Sequence, residues 1–178
     1  MIHKGAGVSK ATLYAKFPNK EALFARVIGQ ECALLTEQVL AIEGISGDFS
    51  GTLRKVGRTY LEILLSPRSL ALFRTILSDA RRFPELGTIF YRSGPKVINE
   101  KMAELVAEAV ETGVIDVQAI GVPNAAKMFV NMLRSEGQLE SLVQPDSRPS
   151  EGQLDHWVET AVTTFMLAFG RRDTGTQP

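Results

Sequence analysis

Apolar residues recur along this chain at intervals of three and four, the period of a helix with one buried face, and no stretch alternates long enough to read as a strand. The longest such segment runs from Lys20 to about Glu43, with Leu23, Val27, Leu34 and Ile42 along it and Phe24, Ile28, Leu35 and Val39 widening the stripe. Gly44 to Gly51 interrupts the pattern and predicts a loop. Thr52 to about Leu65 resumes it with Leu53, Val56, Tyr60, Ile63 and Leu64, until Ser66-Pro67. Proline suits a first helical turn, so Pro67 opens the next helix, to about Arg82, with Leu70, Phe73, Ile76 or Leu77 and Ala80 on one side. Phe83-Pro84 ends it, and a further helix reaches Thr112-Gly113. Gly94-Pro95 should kink or split that one, because proline lacks the amide and clashes with the preceding turn. Gly113 to Val117 is too short for a strand, a helix follows from Val122 to about Leu142, and polar residues 144–150 form a loop. The last helix spans about Glu151 to Phe169. The expected fold class is all-α.

The final two helices are apolar over more than one stripe. In the last, Leu154, Trp157, Ala161, Phe165 and Ala168 form one seam and Val158, Val162, Met166 and Phe169 another; the helix before it offers Ala125, Phe129, Met132 and Leu133, with Met128 adjacent. A helix apolar over that much of its circumference needs two burial partners, either both inside the chain or one of them a second copy.

Composition changes this picture only locally. The 178 residues are long enough to bury a sizeable core, and 20 basic against 20 acidic residues give a net charge of zero. Residues 1–30 nevertheless hold Lys4, Lys10, Lys16, Lys20 and Arg26 against Glu21 alone, a basic end of the kind that contacts phosphates. Cys32 is the sole cysteine, which excludes an internal disulfide and predicts a packed thiol. The two histidines, His3 and His156, form neither a triad nor a metal site, and Glu100, Glu104, Glu108 and Glu111 read as a solvated face; no enzyme chemistry and no cofactor are expected. The Gly44–Gly51 loop lacks the Gly-Lys-Ser/Thr of a phosphate cradle. No leader-like apolar segment opens the chain and no span of about 18 apolar residues occurs, so no membrane association and a cytoplasmic location are expected.

The basic end also carries a motif. Gly7 can close a preceding helix in the left-handed conformation, Ser9 can cap the next, Leu13 and Phe17 share its packed face, Pro18 ends it, and Asn19 can cap the long helix that follows. This is a helix-turn-helix corner. Ala6, Gly7, Val8, Ser9, Thr12, Tyr14, Phe17, Lys20 and Leu23 together resemble the DNA-binding end of TetR-family transcriptional repressors. The resemblance, with an AefR-like C-terminal region, implies a head over residues 1–30, a ligand-binding and dimerisation domain over 31–170 and a frayed tail over 171–178. The family pattern also places a first helix and most of a second ahead of this motif, so the head is expected to be partial.

Further roles follow from the resemblance. Lys10 and Thr12 would approach base edges; Tyr14, Lys16 and Lys20 would bind phosphates, and Ser9 would cap or do the same. The last two helices would build a four-helix bundle with a second copy through Met132, Leu154, Trp157, Ala161, Phe165 and Ala168. The middle helices would enclose a pocket for a small hydrophobic or aromatic effector, with Tyr60, Leu64, Phe73, Leu77, Phe90, Tyr91, Met102 and Phe129 as candidates drawn from residues that serve equally well as core. The implied function is a ligand-responsive repressor of a palindromic operator on double-stranded DNA. The alternative is a TetR-like dimeric ligand-binding or interaction protein without operator binding.

Overall fold

A computed structural model describes residues 17, 19–144, 146 and 148–171, and in them seven helices follow one another in the order the apolar periodicity predicts. They are α1 (Lys20–Leu40), α2 (Phe49–Leu64), α3 (Pro67–Asp79), α4 (Pro84–Ser93), α5 (Pro95–Glu111), α6 (Val122–Val143) and α7 (Glu151–Phe169). Their ends are chemically specified. Asn19, Asp48, Ser66 and Ser150 each accept a backbone amide with their side chain, and at α7 Gln153 returns the bond, completing a capping box. Prolines occupy the first turn of α3 to α6, where the missing N–H costs nothing.

One helix start differs from the sequence reading, and one break falls where it was expected. The 44–51 loop is shorter than expected, because Asp48 caps at Gly51 N and starts α2 at Phe49. The Gly94-Pro95 pair splits the long segment into α4 and α5 outright. Gly113 closes α5 at φ 74°, letting Val114 N reach Ala109 O at 2.9 Å and its own N reach Val110 O at 3.0 Å, the double bond of a left-handed helix stop. The segment after it stays irregular, with one isolated bridge between Ile115 and Gly170 that ties the end of α7 back to the bundle.

α5 packs along α6, α2 along α7 and α1 along α4. Most of the buried residues form one large core, centred on Phe165, whose ring meets those of Phe49, Phe129 and Phe169 at centroid distances of 6.4, 5.5 and 4.9 Å. Gly137 lets α6 and α7 approach closely: a Cβ there would lie 2.5 Å from the Trp157 ring. A second, smaller cluster of Ile28, Cys32, Ile76 and Leu86 holds the front half of α1, while Val39 at its rear belongs to the large core. On the outside, Arg58 of α2 bridges Glu62, Glu151 and Asp155, and Arg54 bridges Glu159.

Candidate functional site

Of the residues expected to contact DNA, Ser9, Lys10, Thr12, Tyr14 and Lys16 lie outside the described residues. Lys20 is the first residue of α1, and Asn19 caps that helix as expected, accepting Ala22 N at 2.7 Å. Helix α1 therefore starts at the motif and runs back into the body.

A cavity of about 570 Å³, counting its open mouth, lies where the small cluster meets the large one. Cys32, Leu35 and Thr36 of α1 form one wall, Tyr60, Ile63 and Leu64 of α2 another, and Leu72, Phe73, Phe90 and Ile98 close the apolar side. Phe73 and Phe90 meet edge to face at 5.7 Å. The polar lining comes from Thr36 of α1 and Ser69 of α3 as well as from α2 and α6. Arg134 Nε donates to Tyr60 Oη at 2.7 Å, and Gln138 stands one turn further along α6. Burial pushes the Tyr60 phenol up, with the Arg134 guanidinium opposing that shift. The Cys32 thiol is pushed up to about 11, first by burial and then by the Glu31 charge, which makes it a packing group and a poor nucleophile. Two ties hold α3 to its neighbours: Arg68 of α3 forks onto Glu31 of α1, and Arg74 donates to the Ser141 and Leu142 carbonyls near the end of α6.

The eight sequence-predicted pocket residues divide three ways. Tyr60, Leu64, Phe73 and Phe90 line this cavity together. Met102 and Phe129 are fully enclosed in the large core. Leu77 and Tyr91 are exposed, at 61% and 54%, because each follows a residue that faces inward, Ile76 and Phe90, and one step rotates the side chain about 100° round a helix. Periodicity overlooked Arg134, although it stands four residues after the buried Val130 and interrupts an apolar stripe with a charge.

The expected interface residues divide similarly. Leu154, Ala161 and Phe165 point into the chain's own core, Trp157 and Met132 are half-buried, and Ala168 is exposed. The outward apolar stripe keeps Met132 and Ala168 of that set and adds Met128, Leu139 and Val143 along α6 and Leu167 on α7. Among the described residues there is no cluster of His, Cys, Asp and Glu able to hold a metal ion, and no helix is long and apolar enough to cross a membrane. Glu100 and Glu104 pair with Lys96 and Lys101 on the solvated face of α5.

Residues 1–27 match the tetR family of bacterial regulatory proteins, and residues 51–171 match the C-terminal domain of AefR-like transcriptional repressors. Among solved structures, the flavonoid-responsive regulator FrrA is 36% identical with a TM-score of 0.82, over 96% of this chain and 85% of that one. A regulator assigned to the TetR family from Mesorhizobium loti is 25% identical with a TM-score of 0.87, over the same shares. A TetR regulator from Agrobacterium tumefaciens, at 21% identity and a TM-score of 0.74 over 96% of this chain and 82% of that one, shares the fold. A comparison with curated protein sequences finds no match. The motif at the basic end, the all-helical body and these matches over both parts place the chain in the TetR family of transcriptional regulators.

Proposed function

We propose that the protein is a ligand-responsive repressor that binds a palindromic operator as a homodimer in the cytoplasm and releases it when a small hydrophobic or aromatic effector enters the cavity. The observation that carries this reading is the position of α1: it begins at the head, and its own Cys32, Leu35 and Thr36 are a wall of the cavity. A ligand pressing on that wall favours one setting of the helix over another, and the equilibrium shifts by the difference in its affinity for the two. The head occupies residues 1–30 and the sensing body 31–170. Lys10 and Thr12 read bases, Tyr14, Lys16 and Lys20 hold phosphates, and Ser9 caps. The apolar stripe of α6 and α7 faces its counterpart across a two-fold axis, which spaces two heads for two half-sites. The FrrA resemblance supports an aromatic effector. The match of residues 1–27 to the family's head supports operator binding over the reading in which it is lost.

Selection of the full chain against a random duplex library tests the proposal. An enriched palindrome is the expected result. Tyr14→Phe and Lys20→Ala should then weaken binding on all sequences, and Thr12→Ala should change preference at one position. No enrichment over random duplex would overturn the repressor reading.

A further inference from the structure

The cavity is apolar on the side of Phe73, Phe90 and Leu72, yet a guanidinium stands in its opposite wall. Arg134 is half-buried, and among the described residues no carboxylate forms an ion pair with it; its recorded partner is the neutral Tyr60 phenol, which accepts from Nε. Four other arginines of the body find anions or helix-end carbonyls: Arg54, Arg58 and Arg68 pair with carboxylates and Arg74 with the carbonyls near the end of α6. Arg134 differs from these four in having a neutral partner and in lining a cavity.

Hydrogen-bond bookkeeping sharpens the point. Because Tyr60 Oη already accepts from Nε, its own hydrogen remains to be donated. The guanidinium's terminal nitrogens are donors only. No buried side-chain nitrogen or oxygen among the described residues lacks a partner, so any terminal nitrogen without one is solvent-accessible, on a residue that lines the cavity. Tyr60 and Arg134 thus present two kinds of donor and a full positive charge to a site whose remaining surface suits flat aromatic rings.

From this juxtaposition, and resting on the reading of the cavity as the effector site, we infer that the effector is an aromatic anion, an acidic hydroxyl or carboxylate on a planar ring system, whose charged oxygen docks on Arg134 and Tyr60 while its rings lie against Phe73 and Phe90. Arg134 is the residue that discriminates such a compound from its neutral analogue. A hydrogen bond to a charged group is worth about tenfold or more in affinity over the neutral counterpart.

The test is calorimetric titration of the full chain with two matched pairs, 7-hydroxyflavone against flavone and 2-naphthoate against its methyl ester, at a pH where the acidic members are ionised. The acidic member of a pair should bind the wild type about tenfold or more tightly. In Arg134→Met that preference should fall below about twofold, with the neutral member's affinity unchanged; Arg134→Lys, which keeps the charge, should retain part of it. If Arg134→Met fails to fold by thermal denaturation, the wild type alone decides. Affinity for 7-hydroxyflavone should then rise as its hydroxyl ionises, with flavone flat across the same range. Equal binding of acidic and neutral members, or a preference that survives in Arg134→Met, overturns the role of Arg134 and leaves the effector cavity standing. Binding of neither pair overturns both.

Discussion

Leu167→Glu separates the stability of the chain from its association. Leu167 is 71% exposed on α7 and lies beside Ala168 on the face turned away from the core. Within one chain the substitution removes almost no contact, and exposed positions of this kind change stability by about 0.5 kcal/mol or less. In a two-fold dimer the same position is buried twice. Fully burying a leucine is worth about 1.5–3 kcal/mol; scaled by the exposed fraction, each copy loses about 1–2 kcal/mol and the pair about 2–4 kcal/mol. That corresponds to a dissociation constant raised roughly 30- to 700-fold, before the added cost of desolvating two carboxylates. Sedimentation velocity over a micromolar concentration series should show the wild type as a dimer and the variant shifted to monomer, with urea unfolding of the separated chain almost unchanged. A wild type that sediments as a monomer, or a variant with an unaltered dimer constant, would refute the assignment of this face.

Phe165→Ala has the opposite signature: with its ring enclosed by Phe49, Phe129 and Phe169, its loss should lower unfolding free energy by about 3–5 kcal/mol in urea titrations. A loss under about 1.5 kcal/mol would mean the site collapses around the void. Gly137→Ala gains about 1 kcal/mol of helix propensity but drives a methyl into the Trp157 ring, and overpacking costs about 1–3 kcal/mol; the variant should be no more stable than wild type and should shift the emission of this sole tryptophan. Unchanged emission would contradict the close approach. Arg68→Gln tests a pH dependence. Arg68 lowers the Glu31 pKa, chiefly through its hydrogen bond, so the pair contributes above the ordinary carboxylate value and loses that contribution as pH falls through the lowered one. The small gap between wild type and variant in urea midpoint should therefore be present at pH 7 and close under acid conditions. A gap that persists at low pH would assign the effect to packing.

The helical elements were legible because their signals are local. Asn19 and Pro67 act within one turn of themselves, and the α7 limits read from the apolar pattern, Glu151 and Phe169, are those observed. The start of α2 was misplaced for the same kind of reason: Asp48 caps at Gly51, and a glycine-rich stretch hides the cap. Which apolar residue faces a cavity is a different question, since it depends on what the neighbouring helix leaves unfilled. Phe129 and Phe90 are alike in sequence, but Phe129 meets Phe165 across α6 and α7 whereas Phe90 borders open space. Leu77 and Tyr91 show that one step along a helix decides between lining and solvent. Arg134 carried a readable signal, a charge within an apolar stripe, which acquires meaning only when Tyr60 is seen opposite it.

The unequal clamping of α1 has a mechanical consequence. Its rear is anchored in an assembly of two dozen buried side chains, whereas the cluster that holds its forward part has four, two of them α1's own Ile28 and Cys32, with a hollow between the two. Free energy of local opening scales with the apolar contact that must be surrendered. The forward part can therefore let go and reseat while the rear stays put, a lever whose fulcrum sits at the hollow. Amide protons ahead of Cys32 should accordingly exchange sooner than those around Val39, and anything wedged at the fulcrum changes how far the lever tip swings.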